Sequence, residues 1–442
     1  MNNDPRELLA TSPMSRWQIL VVAITVGLTA LDGFDVLSIS FASPGIAREW
    51  GIERAALGVV LSMDLLGMAL GSIFLGGVAD HIGRRKTVLG CLMLMILGMS
   101  MVAGVRGLSE LCLWRIITGL GIGGMLASNN AIAAEFSNAR RRDLSVSIMA
   151  IGYPLGAIIG GSIAAHLLKD SGWRVVFEFG AICTAAFLPL VYRCMPESVG
   201  WLCQTQPHGA LERINRSLNR LGYAGIDALP MRTTRQSRGT LIDIFQRGRT
   251  FTSVLVTATY FLHITTFYFI LKWVPKIVVD MGFAASSAAG VLVWTNVGGA
   301  TGGAVLGLLT QRLGLRPLTV AMLVGSTAMV ALFGHGQADL SQLSLVCALV
   351  GFCTNGGVVG IYAVLARAFP TELRATGTGF AVGTGRGGAV IAPIVAGLLF
   401  HAGFGLQAVA FIMGSGSLIA VLCLLALPAR ALTPHSALTE PV

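Results

Sequence analysis

The chain has 442 residues, of which 54% are hydrophobic and only 12% charged, with a mean hydropathy of +0.75. A soluble domain carries about 25% charge, so this composition excludes an ordinary soluble protein and points to one that crosses a membrane many times. The net charge of +10 would suit a nucleic-acid binder, but Lys and Arg collect in alternate polar segments, which is the positive-inside pattern and puts the amino terminus in the cytoplasm.

Twelve apolar segments follow one another near 17–42, 55–79, 87–105, 111–134, 144–168, 174–193, 250–272, 285–309, 317–335, 341–366, 376–400 and 406–427. Each is long enough to cross about 30 Å of hydrocarbon as a helix. Their length, and the lack of ten-residue alternation, favour helices over a barrel. Residues 1–16 are polar and the run after them is too long for a cleavable signal, so they read as a cytoplasmic terminus. The polar loop 194–249 separates a six-helix bundle at 17–193 from a second at 250–427, and 428–442 reads as a cytoplasmic tail. The expected fold is all-α, with twelve transmembrane helices in two six-helix halves. Eight cysteines show neither metal-ligand spacing nor a disulfide framework and read as packing residues.

The first span carries an anomaly. In "LTALDGFDVLSI", residues 28–39, Asp32 and Asp35 sit in an otherwise apolar run. An ionised carboxylate near a bilayer centre costs at least ~2.5 kcal/mol on insertion scales. Three residues apart, the two lie on one side of a helix, separated by ~4.5 Å of rise. Burial and mutual repulsion disfavour two simultaneous charges, which suits a site that takes up and releases protons. The alternative is a pair neutralised by a fixed arginine and serving assembly. Gly33 between them admits a close approach by backbone or ligand.

"GGVADHIGRRK", 76–86, lies between spans 2 and 3. Its glycines, Gly83 among them, allow a tight turn between antiparallel helices. Asp80 can pair with Arg84 or Arg85, or lie against a helix amino terminus. These charges could set topology alone; their spacing favours a gate, with Glu135 and Arg374 as further partners. In span 5, the small residues of "GYPLGAIIGG", 152–161, allow close helix packing.

The second half repeats the first. Adding 231 takes Gly51 to Gly282, Gly67 to Gly298, Gly71 to Gly302, Gly83 to Gly314 and Arg85 to Arg316. Near span 4 the offset slips by one, taking Gly119 to Gly351 and Arg142 to Arg374. Parallel six-helix repeats related about the membrane normal are a transporter architecture. The second copy of the loop, "GLLTQRLGLRP", has Gln311 where the first has its acid.

Residues 76–86 resemble the signature of the major facilitator superfamily, with His81 where a base usually follows the acid. "LDGFD" in span 1, "RIITGLGIGG" (115–124), "MPES" (195–198), "FPTELRATGTG" (369–379) and "GTGRGGAVIAP" (383–393) together resemble the aromatic acid:proton symporter family over essentially the whole chain. That resemblance implies inward transport of benzoate-type carboxylates with protons, driven by the proton gradient and needing no cofactor. It also puts spans 3, 9 and 12 against lipid. "GYPLGAIIGG" looks like the antiporter motif of drug exporters, but its proline is displaced to Pro154 and Ala157 stands in its place, which argues against export.

The remaining intramembrane groups supply candidates for a binding site. Arg386 lies ten residues into span 11, ~15 Å from its cytoplasmic end, and needs a carboxylate from substrate or from an aspartate. Arg115 in span 4 has either a structural partner or a ligand. His263 is the repeat equivalent of Asp32 and is either a buried neutral histidine or a proton relay. Asn130, Tyr153, Trp294, Asn296, Asn355 and Tyr362 offer aromatic faces and amides suited to a ring bearing a carboxylate.

The expected function is a proton-coupled importer of an aromatic carboxylate, such as a benzoate or hydroxybenzoate derivative, by alternating access. It would work as a monomer in a bacterial inner membrane with both termini cytoplasmic, binding neither metal nor nucleic acid. A proton-coupled drug or metabolite efflux antiporter, or a ligand sensor that does not transport, is the alternative. No spaced catalytic set or nucleotide loop suggests an enzyme.

Overall fold

The computed structural model describes residues 4–231, 242–246, 249–370 and 373–428. All but the first residue of the expected tail, parts of the loop 194–249, and Thr371 and Glu372 of "FPTELRATGTG" lie outside them. Twelve long helices appear in the expected order. The first six are α2 Arg16–Trp50, α3 Arg54–Ile82, α4 Arg84–Gly104, α5 Leu108–Glu135, α6 Arg142–Leu167 and α7 Arg174–Cys194. The last six are α10 Thr250–Asp280, α11 Ala285–Leu313, α12 Leu315–Gly334, α13 Leu340–Ala368, α14 Arg374–His401 and α15 Leu406–Ala426. Each is long and apolar enough to cross a membrane, so this is a multi-pass membrane protein. Short helices α1 Pro5–Thr11, α8 Val199–Thr205 and α9 Ala210–Leu221 flank the spans.

Local chemistry sets the ends of several helices. Asp4 caps α1, accepting from the Arg6 backbone N–H at 2.9 Å and pairing with its guanidinium at 2.6 Å. That side-chain bond holds the Asp4 carboxyl below its ordinary range. In α9, Ile214, Leu218 and Leu221 are buried while Arg216 and Arg220 are exposed, the amphipathic period of a helix lying on a packed surface.

The sequence repeat is also a backbone repeat. Gly51 (φ +60°) and Gly282 (φ +98°) correspond, as do Gly83 (φ +105°) and Gly314 (φ +81°). Both pairs adopt the left-handed region open to glycine. The packing repeats as well. Cβ atoms added at Gly67 and Gly71 would lie 2.2 Å from the carbonyl oxygens of Ile116 and Leu120 on α5. At Gly298 and Gly302 they would meet those of Ala348 and Phe352 on α13, at 1.8 and 2.1 Å. Missing side chains therefore bring α3 against α5, and α11 against α13, backbone to backbone.

The chain forms two compact units whose limits differ from the expected bundles. Unit 1 comprises the described residues of Met1–Ser38, Met63–Gly160 and Arg174–Thr234; unit 2 comprises those of Ile39–Ser62, Gly161–Trp173 and Arg235–Val442. The segment 39–62, expected with the first bundle, packs within unit 2. A Cβ at Gly58 would lie 2.4 Å from the Pro393 carbonyl, and Arg54 bonds Asp280 at 3.2 Å. Helix α2 continues through Pro44 to Trp50, past the expected end of span 1, and so contributes to both units. All eight cysteines are free, and burial pushes the Cys203 thiol on α8 up to about 11, as suits a packing residue.

Candidate functional site

In unit 1 the site is built around α2. Asp32 and Asp35 are 1% and 0% exposed, and none of their four carboxyl oxygens has a hydrogen-bond partner. Gly33 lets a neighbouring backbone approach, because a Cβ there would lie 2.0 Å from the Tyr153 carbonyl oxygen. The "GYPLGAIIGG" glycines continue the contact in register. Gly152 meets the Val26 carbonyl, Gly156 that of Ala30 and Gly160 the Phe34 ring. This row of small residues seats α6 on α2, and the half-buried Tyr153 sits in the same contact. Asp35 turns toward α7, where a Cβ on Gly180 would lie 3.2 Å from its Oδ1.

Of its two expected readings, Arg115 shows the structural partner. Its guanidinium is fully buried and pairs with Asp64, also fully buried, at 3.0 Å. It further donates to the Asp35 backbone carbonyl at 3.0 Å and to Ser38 Oγ at 3.2 Å, and lies over the Phe177 ring, 5.5 Å from its centroid. The cation is thus held inside the protein, by an acid of α3 that the sequence alone does not connect to it. Beside it, Asn129 is buried with Nδ2 3.4 Å from Thr29 Oγ1. Asn130 is exposed and donates to the Leu126 carbonyl of its own helix at 3.0 Å.

Residues 76–86, which form the end of α3, the Gly83 turn and the start of α4, are tied to the chain after α7. Asp80 and Arg84 pair at 2.8 Å, while the Trp201 indole donates to the Asp80 carbonyl at 2.8 Å. Glu197 accepts from the Arg85 backbone N–H at 3.0 Å and sits against Gly83, where a Cβ would lie 2.5 Å from its Oε2. Ser198 donates to Glu135, and the Arg85 guanidinium donates to the Tyr192 carbonyl. Glu197 and Ser198 were legible in sequence only as part of "MPES". In unit 2, Arg316 donates to the Leu425 carbonyl, the counterpart of the Arg85 contact. Arg374 is exposed at the start of α14.

In unit 2 a cluster forms from α10, α13 and α14. The hydroxyls of Tyr260 and Tyr362 are 2.9 Å apart, with ring centroids at 5.4 Å. Tyr260 is 5% exposed and Tyr362 42%. The Tyr260 ring lies against Gly385, where a Cβ would be 2.2 Å away, so it reaches the chain beside the half-buried Arg386. Either hydroxyl can donate in this bond; with Tyr260 as the donor, the proton of the more exposed Tyr362 is available to a ligand. Tyr260 was missed in sequence because a tyrosine among apolar neighbours looks like core.

His263 has the surroundings of the buried neutral histidine, one of its two expected readings. It is fully buried, with Nε2 2.8 Å from the Thr354 carbonyl and Nδ1 2.8 Å from Ser417 Oγ. A carbonyl can only accept, so Nε2 carries the proton and Nδ1 accepts from Ser417. Both nitrogens of the neutral ring are then used. Asn355 likewise serves packing: its Nδ2 donates to the Gly299 carbonyl on α11 at 2.7 Å. Asn296 is buried and donates to the Leu292 carbonyl of its own helix at 2.8 Å, whereas Trp294 is 53% exposed. Lys272, on α10, is 0% exposed.

Comparison with known proteins agrees with this architecture. The pattern of the Major Facilitator Superfamily matches residues 25–333 and 254–441. The chain is 29% identical to a gallate transporter of Pseudomonas putida, over 99% of this chain and 98% of that one. It is 28% identical to the 4-hydroxybenzoate transporter PcaK of Acinetobacter baylyi, over 90% and 88% of the two chains. The inward-open xylose transporter XylE of E. coli superposes with a TM-score of 0.73 at 17% identity, covering 96% of this chain and 100% of that one, a likeness of fold.

Proposed function

We propose, for a chain that belongs to the Major Facilitator Superfamily, the import of an aromatic carboxylate coupled to proton entry, by alternating access. The observation that carries the coupling is the Asp32–Asp35 pair, two buried carboxyls whose four oxygens lack hydrogen-bond partners. Intramembrane acids mark ion pathways, and a carboxyl unassisted by bonds is most easily buried in its neutral, protonated form. Protonation from one side and release to the other then accompanies each turnover.

The substrate class rests on the relatives named for gallate and 4-hydroxybenzoate, and on the chemistry of unit 2. There a guanidinium, an outward phenolic donor and aromatic faces suit a ring bearing a carboxylate. The protein would work as a monomer in a bacterial inner membrane, with both termini cytoplasmic and the loop 76–86 gating the cytoplasmic side. The small residues of "GYPLGAIIGG" are accounted for by packing of α6 on α2, so they give no support to export. Right-side-out vesicles with an imposed inward proton gradient test the proposal. Accumulation of labelled 4-hydroxybenzoate, lost when the gradient is collapsed, supports it; gradient-driven accumulation in inverted vesicles without such uptake overturns it.

A further inference from the structure

A cavity lies in unit 2, away from Arg386. It has a volume of about 220 Å³ and is lined by Arg54, Trp273, Ile277, Asp280, Phe400 and Leu406, among others. Trp273 is thirteen residues beyond Tyr260 on α10, and Phe400 fourteen beyond Arg386 on α14. At 1.5 Å per residue, both are ~20 Å along their helices from the tyrosine–arginine cluster.

The lining is specific in shape and charge. Trp273 is 1% exposed, and its indole donates to the Pro393 carbonyl at 3.1 Å, which fixes the ring plane. Phe400 packs on it with centroids 5.1 Å apart and planes tilted by 46°. Arg54 lies over Phe400 at 5.3 Å and bonds Asp280 at 3.2 Å, a carboxylate that Lys276 also bonds. Helix ends of both signs meet here, since α3 and α15 begin where α10 and α14 end. The side chains therefore decide the sign, and two cations share one carboxylate. Glu53 is turned to His401 instead, at 3.4 Å.

We propose that this cavity is a second binding site for single-ring aromatic carboxylates. The inference rests on the aromatic-carboxylate reading above. Its volume is below the ~300–1,000 Å³ typical of sites for larger ligands, and so fits one ring. The ligand ring packs on the Trp273–Phe400 wall while its carboxylate takes Arg54 from Asp280. The exchange is easy for two reasons: Arg54 is 45% exposed, where an ion pair is weak, and Asp280 keeps Lys276. Occupancy removes the Arg54 tie between the first turn of α3 and the end of α10.

Equilibrium dialysis of the purified full-length protein against labelled 4-hydroxybenzoate, up to millimolar concentration, tests this. Wild type should bind two equivalents, and Arg386→Ala should keep one of them. Arg54→Gln should weaken that one at least tenfold while leaving the thermal midpoint unchanged, and Arg54→Lys should weaken it less. Trp273 emission, identified by its absence in Trp273→Phe, should respond to ligand in wild type and Arg386→Ala but not in Arg54→Gln. A single equivalent unaffected by Arg54→Gln, or two equivalents insensitive to it, overturns the second site and leaves the transport proposal standing. No binding by wild type overturns the transport proposal and the second site together.

Discussion

Arg115 bonds the backbone carbonyl of Asp35 at 3.0 Å while leaving the Asp35 carboxyl without a hydrogen bond. The cation is neutralised instead by Asp64, one helix away on α3. A single buried arginine thus closes the account of one aspartate and leaves its neighbour available for protonation. The two aspartates therefore predict opposite mutant behaviour.

Asp64→Asn should be a folding mutant. Removing one partner of a buried pair leaves an uncompensated charge, at a cost of about 3–5 kcal/mol. Detergent-extracted Asp64→Asn should show a lower unfolding midpoint and reduced yield. Replacing both partners, as Asp64→Leu with Arg115→Met, should recover stability in part. A double variant no more stable than the single one would remove the pair from the packing of unit 1.

Asp32→Asn and Asp35→Asn should instead insert normally and lose gradient-driven uptake. Neither carboxyl has a bond for the mutation to break, and Asn cannot carry the proton. Uptake in vesicles with and without an imposed gradient is the measurement, with membrane content checked by immunoblot. Normal accumulation by both variants would sink proton coupling through this pair.

The parts of this protein that were legible in sequence are those with a period or a penalty. Twelve apolar runs are visible because hydrocarbon sets a minimum length. The repeat is visible because glycine is demanded both where a turn needs positive φ, as at Gly83 and Gly314, and where backbones touch, as at Gly67 and Gly298. Polar partners were harder to read. Arg115 and His263 are the same residue types whether each binds a ligand or a neighbouring helix, and only distance separates the cases. His263 corresponds to Asp32 in position but not in environment, and its two readings could be separated only by its hydrogen-bond partners. The unit boundaries were hidden too, because helix α2 has no break in its apolar pattern where it passes from one unit into the other.

His263→Ala should therefore lower stability and spare the coupling. It strips the Thr354 carbonyl and Ser417 of their partner, at about 1–3 kcal/mol for buried groups left unpaired, and opens a cavity. Protons moved per substrate, measured from paired pH and isotope traces in proteoliposomes, should match wild type. A changed ratio would restore the relay role.

Gly83→Ala should slow conformational exchange more than it weakens equilibrium binding. Its φ of +105° strains any L-residue, and the new methyl would sit 2.5 Å from Glu197 Oε2, pushing apart the contact that Arg85 and Glu197 make. Counterflow rates set against substrate affinity separate the two effects. A loss of affinity with unchanged exchange would make the loop a binding element and not a gate.

Arg386 offers the sharpest test of the substrate site. Arg386 follows Gly385 in α14, on which the Tyr260 ring rests, and Tyr260 in turn bonds the Tyr362 hydroxyl. A planar fork binds a carboxylate through two parallel bonds, which an ammonium cannot copy. Arg386→Lys should weaken binding of labelled 4-hydroxybenzoate at the Arg54-independent site by about tenfold, equivalent to ~1.4 kcal/mol, and Arg386→Ala should nearly eliminate it. Tyr260→Phe should act in the same direction but more mildly, because the ring stays and only the hydroxyl that orients Tyr362 is lost. If Arg386 instead serves assembly through a permanent acidic partner, Arg386→Ala should lower expression and the unfolding midpoint, and neutralising that acid should rescue both. Correctly folded Arg386→Ala protein with wild-type affinity at that site would take Arg386 out of substrate binding altogether.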